Sequence, residues 1–443
     1  MRTIANLRHH WQRSGRMEFR LNVLATRSGQ REHARVRTLI RAHDLWRLLA
    51  VACAACDEPQ PDAEASPAIH EDEGADRGSP LAAPDRCGNG VREGEEACDD
   101  GNRDPFDGCT AACAAWPLAA LDPVVVDAPL TWQAVPVDGA LCRDGSPARF
   151  HVNTSPGADK LIIYLEQGGA CLPETCLAFD IDAPFDAGIF DRGNQANPFA
   201  DWNYVYVPYC TADFHAGSRR DVLAGGKTQQ FVGYDNMGFF LERIVPTFRQ
   251  ASRVVLTGAS AGGFGSTLNF PRTQDAFGPV EVLFLDDSGP WMSPDVLGTC
   301  LQDAMREGWN LDATALARCG SDCADRKDWA FAFLEYMLNL YPDRPGGFYS
   351  SQADASVRLF YGASGDDCHG ADFTRAPAEQ FTMGLRELRE FLGAWKSVGT
   401  YFSPGEEHMC FNSACFYAPL ANNTRVSDWV ADLLRGDARD VGL

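Results

Sequence analysis

The chain has 443 residues, 45% of them hydrophobic, and a formal net charge of −22. That length accommodates a large catalytic domain with an appendage, and the apolar content supports a sizeable core. The acidic balance argues against nucleic-acid binding, which needs clustered Lys and Arg, and reads as a solvated exterior.

The first 44 residues are rich in Arg and His, with little apolar periodicity. The apolar run Leu45–Cys56 follows. It is shorter than the ~20 residues of a bilayer span and sits behind Arg37, Arg41 and Arg47, as in a secretion signal. Its distance from Met1 points to a translation start nearer Met17 or Val36. Ala50-Val51-Ala52-Cys53 resembles a bacterial lipobox, which would attach the protein to a membrane through a lipidated Cys53. Ordinary signal-peptidase cleavage among the alanines is the equal alternative. Residues 1–56 are therefore expected to be an N-terminal extension and signal segment of a secreted or cell-surface bacterial protein. Residues 57–86 are rich in Pro, Ala, Asp and Glu and lack aromatics, so they read as a solvated linker.

Residues 87–115 carry Cys87, Cys98, Cys109 and Cys113 in a stretch too short for a core, so a small disulfide-rich module is expected. The wording Cys87-Gly88-Asn89-Gly90 through Cys98-Asp99-Asp100-Gly101-Asn102 resembles the cysteine-rich repeat of myxobacterial exported proteins. Asp99, Asp100, Asn102 and Asp107 are weak candidates for calcium, with a solvated acidic turn as the simpler reading. The chain has 16 cysteines: two near the signal, four in this module and ten from Cys142 to Cys415. The last two even groups suit disulfides in an exported protein. Zinc fits less well, because the module lacks paired Cys-x-x-Cys knuckles and has no histidine.

Residues 120–443 read as the catalytic domain. Apolar runs at 160–165, 203–208, 253–257, 281–285, 347–352 and 400–403 predict strands, and 330–341 and 379–398 have helical spacing. The alternation predicts an α/β fold: a mostly parallel sheet with helices on both faces. Gly258-Ala259-Ser260-Ala261-Gly262-Gly263 follows the third of these strands. A serine between strand and helix, flanked by residues without bulk, is the layout of a nucleophile elbow, and the Ala261 N–H is then free for an oxyanion hole. The glycines of Glu166-Gln167-Gly168-Gly169-Ala170-Cys171 lie just past another strand end, where a second donor is expected. Four histidines fall in this region: His151, His215, His369 and His408. His408 follows the final predicted strand, as the order Ser, Asp, His requires. His369 lies in a loop of undefined place, and His215 is a candidate wall of the site. Asp354 follows the penultimate strand and is the candidate acid, with Asp286 and Asp287 as rivals.

The ordered set of segments is similar to that of the pectin acetylesterases and their Notum relatives. Leu165 to Cys171, Val207-Pro208-Tyr209-Cys210-Thr211-Ala212-Asp213, Thr257 to Gly265 with Asn269, Gln352-Ala353-Asp354 and Glu407-His408 carry the resemblance over roughly 130–430. It implies an α/β-hydrolase fold and carboxylic ester hydrolysis without metal or cofactor. It implies Ser260 as nucleophile, His408 as base and then acid, Asp354 as orienting carboxylate, and the N–H groups of Gly168, Gly169 and Ala261 as the oxyanion hole. Ala170, Asp213 and His215 are expected to line the pocket. Gln167 and Ala170 depart from the family's Gly and Trp and alter the floor of the acyl pocket; the Ala in place of Trp points to acyl groups longer than acetyl. The implied partner is an ester substrate, with an acetylated polysaccharide as one form. Two alternatives stay open: another serine hydrolase (amidase, peptidase or lipase), and a surface binding protein on an idle hydrolase fold.

Overall fold

The computed structural model describes residues 5–12, 16–23, 122–172, 176–178, 184–224, 226–324, 326–362 and 374–443. The chain divides into two units, Met1–Pro80 and Leu81–Leu443. In the first, Ala5–Gln12 and Arg16–Val23 pair antiparallel. Cys53, the linker at 57–86, the module at 87–115 with Asp99, Asp100, Asn102 and Asp107, and His369 lie outside the described residues. Among the described residues no helix is long and apolar enough to cross a membrane.

The second unit is built on nine strands. These are β1 (Gln133–Leu141), β2 (Pro147–Asn153), β3 (Lys160–Leu165), β4 (Asn203–Val207), β5 (Arg253–Ala259), β6 (Glu281–Asp287), β7 (Gly346–Ser351), β8 (Val398–Ser403) and β9 (Val441–Gly442). Their order across the sheet is β9-β8-β7-β6-β5-β3-β4-β2-β1. Every pair from β9 to β4 is parallel, and β2 and β1 join antiparallel at the edge.

The inner strands are continuous apolar runs because both faces are covered. Leu161, Ile163 and Leu165 face one core with Val254, Leu256, Val282 and Phe284. Ile162 and Tyr164 face the other with Val255, Leu283 and Leu285. Helices α1 (Gly233–Thr247), α2 (Ala261–Leu268), α3 (Phe270–Phe277), α4 (Trp329–Leu340), α5 (Ala355–Gly362) and α6 (Ala378–Leu392) contribute to the first core, for example through Phe240, Leu268, Phe277, Leu334, Val357 and Leu388. Helix α7 (Val426–Leu434) covers the opposite face with Trp429, Val430 and Leu433. This is the α/β-hydrolase arrangement expected from the sequence.

The six expected strands form, with boundaries shifted by a few residues. The expected last strand is not the last: β9 adds two residues beyond it, paired at Tyr401 and Phe402. The helix expected to reach residue 398 stops at Leu392, and the chain turns there to enter β8 at Val398. Cysteine pairs Cys142–Cys210, Cys171–Cys176, Cys319–Cys323 and Cys410–Cys415 are disulfides, and Cys300 is also disulfide-bonded.

Candidate functional site

Ser260 joins β5 directly to α2 and holds φ 53°, ψ −116°. A non-glycine residue there is strained by ~1–3 kcal/mol and persists only where its surroundings over-determine it. Two surroundings do so. The Ser260 N–H donates to the Asp287 carbonyl at 2.7 Å, and the Phe264 N–H donates back to the Ser260 carbonyl at 3.0 Å. The turn also requires bare backbone on both sides. A Cβ on Gly258 would meet the Gly262 carbonyl oxygen at 2.4 Å, and one on Gly262 would meet the Leu165 oxygen at 1.9 Å. Ala261 and Gly262 open the helix, so their N–H groups have no intrahelical acceptor.

The Leu165–Cys171 segment leaves β3 beside this turn. Glu166 is fully buried, although it follows an apolar strand. Its carboxylate accepts from the Tyr206 hydroxyl and, at 2.8 Å, from the Tyr209 N–H. Gln167 accepts from the Tyr164 hydroxyl at 3.0 Å, and the Gly169 carbonyl accepts from the Tyr209 hydroxyl at 2.9 Å. Gly168 and Gly169 therefore lie in a loop tied on both sides, and Gly169 has φ 78°.

Asp354 and His408 come from loops after β7 and β8. The two loops are joined along their backbones: Ala353 N–H donates to Gly405 at 3.0 Å and Ala355 N–H to Glu406 at 3.1 Å. Asp354 is fully buried. Its Oδ1 accepts the N–H groups of Ser356 and Val357, both at 2.9 Å, at the start of α5. Its Oδ2 lies 2.8 Å from His408 Nδ1. A carboxylate only accepts at neutral pH, so Nδ1 carries the proton and Nε2 is left as the basic nitrogen. Burial works against charge on His408, but the charge and hydrogen bond of Asp354, with Asp287 behind it, hold its pKa above the ordinary imidazole value of 6.5.

Asp287, a rival for the acid role, has a different set of partners. Its carboxylate accepts from the N–H groups of Cys410 (2.8 Å) and Phe411 (2.7 Å) and from the Ser288 hydroxyl (3.0 Å). The Ser288 hydroxyl oxygen in turn accepts from the Met409 N–H at 3.1 Å. One residue thus carries the Ser260 backbone on its carbonyl and the segment after His408 on its carboxylate. Burial raises the Asp287 carboxyl to about 6, against the N–H groups that favour its charge. Asp286, the other rival, accepts from the Gly289 N–H at 2.7 Å, and burial holds it well above the usual carboxylate range.

The expected pocket residues are buried. Asp213 is fully buried, and its carboxylate is taken up by the Thr211 hydroxyl (2.6 Å) and the N–H groups of Gly217 (3.2 Å) and Gly233 (2.7 Å). It fixes its own loop, and burial raises it to about 6. His215 is buried too, and its Nε2 lies 2.9 Å from the Glu166 carbonyl oxygen. Burial pushes it down to about 4. Ala170 is buried, and His151 lies on β2. The tasks of Glu166 and Asp287 are not legible in the sequence; an acid closing an apolar strand is the available signal.

Residues 125–327 match the family model described as Pectinacetylesterase. Among curated proteins, palmitoleoyl-protein carboxylesterase notum1' of Xenopus laevis is 25% identical over 308 residues, covering 59% of this chain and 58% of the relative. Pectin acetylesterase 4 of Arabidopsis thaliana is 29% identical over 153 residues, covering 31% of this chain and 37% of the relative. The chain thus spans less than two thirds of the length of either. The crystal structure of the Wnt deacylase Notum from Drosophila aligns with a TM-score of 0.51 at 19% identity, covering 69% of this chain and 94% of that one, and shares its fold. Over part of its length the chain is thus similar to pectinacetylesterases and to Notum proteins.

Proposed function

We propose that this chain is an exported serine carboxylesterase that removes acyl groups from a polysaccharide or another ester. The observation that carries the reading is the joint anchoring at Asp287. The strained Ser260 turn and the loop bearing the Asp354-paired imidazole hang from the same residue. The names of the relatives point the same way, since both are esterases that act on an acyl group carried by a larger molecule.

In this reading Ser260 Oγ attacks the ester carbonyl carbon while His408 Nε2 takes its proton. Asp354 holds the tautomer and stabilises the imidazolium. The N–H groups of Gly168, Gly169 and Ala261 receive the oxyanion, each worth about 3 kcal/mol if the geometry is met. The tetrahedral adduct expels the alcohol, which takes the proton back from His408. Water then repeats the sequence on the acyl-enzyme, releasing the acid and restoring Ser260. The disulfides among the described residues fit an oxidising compartment outside the cytosol. Ala170 leaves more room than the Trp of the family's pattern, so acyl groups longer than acetyl are accepted.

The test is hydrolysis of p-nitrophenyl esters from acetyl to palmitoyl by the full chain and by Ser260→Ala. Activity lost in the variant, with folding retained, supports the reading, and the chain-length profile sizes the pocket. Acetyl-only activity would overturn the long-acyl assignment. A folded protein inert on every ester would overturn the esterase reading.

A further inference from the structure

We infer that His215 is a positioning residue that sets the spacing between the two halves of the oxyanion hole, by tying the Glu166 carbonyl to the far end of the nucleophile helix. This rests on the esterase reading above. The two sets of N–H donors come from separate elements: Gly168 and Gly169 follow β3, and Ala261 opens α2. Something must fix the distance between those elements, because an oxyanion donor is effective only within about 2.7–3.1 Å of its target.

His215 touches both. Its Nε2 is 2.9 Å from the carbonyl oxygen of Glu166, two residues before Gly168. A carbonyl can only accept, so Nε2 is the protonated nitrogen. On the other side, the His215 carbonyl accepts from Asn269 Nδ2 at 2.9 Å. Asn269 caps α2 and also donates to the Gly265 carbonyl at 3.0 Å. Gly265 lies against His215, and a Cβ there would meet the Phe214 oxygen at 2.7 Å and His215 Cβ at 3.2 Å. His215 thus lies between helix and loop, its imidazole bonded to the loop and packed at Gly265 and its backbone carbonyl bonded to the helix cap.

The segment carrying His215 is built at a cost. Ala212, Phe214 and His215 have φ of 59°, 56° and 56°. Three left-handed non-glycine residues within four positions persist only under strong constraint. Asp213 supplies it through Thr211, Gly217 and Gly233. Tyr209, whose ring centroid is 4.7 Å from that of His215, supplies more by donating to Gly169 and accepting from the Phe214 N–H at 2.9 Å.

The experiment compares His215→Gln with His215→Asn in the full chain. The Gln amide nitrogen reaches the place of Nε2 and keeps the donor, whereas Asn is too short. Hydrogen exchange of the 166–171 peptide needs no substrate. It is expected to quicken about 10-fold or more in His215→Asn and to stay near wild type in His215→Gln. With p-nitrophenyl esters, His215→Asn is expected to lose ~100-fold in kcat with KM within about twofold. Affinity for a trifluoromethyl ketone, which forms an oxyanion on Ser260, should fall in parallel. Wild-type exchange and kcat in His215→Asn would overturn the inference, as would equal losses in both variants. If no ester is turned over by the wild type while exchange follows the expected pattern, the esterase reading fails and the clamp stands.

Discussion

Gly262→Ala tests whether the Ser260 turn is set by backbone contact. A Cβ on Gly262 would lie 1.9 Å from the Leu165 oxygen, 2.6 Å from the Leu165 carbon and 3.0 Å from the Glu166 oxygen. Ordinary contact begins near 3.4 Å, so helix and strand must separate by roughly 1.5 Å. No flexible side chain can give way, because every one of these atoms is backbone. Leu165 is held in register with Gly258 on one side and Val207 on the other, so moving it disturbs two ladders. Overpacking that side chains can absorb costs about 1–3 kcal/mol. Adding one or two lost ladder bonds at about 1 kcal/mol each gives roughly 2–5 kcal/mol. Alanine's better helix propensity returns at most about 1 kcal/mol. The melting temperature should fall by about 10 °C, at ~2–4 °C per kcal/mol for a domain of this size. Turnover should fall about 100-fold or more, since the displaced elements carry opposite sides of the proposed oxyanion hole. Gly278→Ala is the control: its φ is 58°, but a Cβ there meets nothing within 4 Å. It should cost the backbone strain alone, about 1–3 kcal/mol, and leave turnover intact. Gly262→Ala with wild-type melting and turnover would refute the steric reasoning.

Three further outcomes are expected. Ser260→Gly should be more stable than Ser260→Ala by about 1 kcal/mol in urea titrations, because only glycine relieves a φ of 53°. The base must be neutral and His408 is raised, so kcat/KM should increase with pH through a midpoint above 6.5. Asp354→Asn should lower that midpoint and cut kcat by about 10⁴ by presenting the wrong tautomer. Asp213, raised to about 6, keeps its proton in the folded chain after the unfolded carboxyl has lost it. Its contribution to stability therefore falls as pH rises from about 4 to about 6, and Asp213→Asn should flatten that limb in urea titrations at pH 4.5 and 7.

What the sequence reveals depends on whether a constraint is local. The elbow is legible because Gly258, Ser260 and Gly262 encode one tight turn within five residues. The inner strands are legible because two covered faces demand continuous apolar runs. The antiparallel edge is not, since Pro136 and Gly139 interrupt the alternation of β1 and its register shifts between Pro136 and Leu141. His408 and Asp354 could be placed by their positions after strands, and they lie 2.8 Å apart. Asp287 could not be assigned, because its partners are backbone N–H groups of residues 410 and 411, more than 120 positions away. Backbone donors leave no mark on the residue type that supplies them. The same holds for Asp213, whose burial is invisible in an acidic, Gly-containing loop.

These anchors follow one physical plan. At the C-terminal edge of the sheet, five buried acids each capture backbone N–H groups of a loop or a helix start: Glu166 takes Tyr209, Asp213 takes Gly217 and Gly233, Asp286 takes Gly289, Asp287 takes Cys410 and Phe411, and Asp354 takes Ser356 and Val357. Loops are ordinarily the least stable parts of a fold. A charged acceptor makes a hydrogen bond about twice as strong as a neutral one, and its rigid planar group fixes direction as well as distance. Burial is what makes such a bond effective, and burial is also what raises Asp213 and Asp287 to about 6. At neutral pH Asp213 and Asp287 stay ionised by a much narrower margin than an exposed carboxyl would. Neutral replacements would relieve that, but a neutral amide has only one accepting oxygen, and Asp287 and Asp354 each use both. The acids persist where two oxygens are needed to hold two loops at once, which is where the Ser260 turn and the His408 loop must meet.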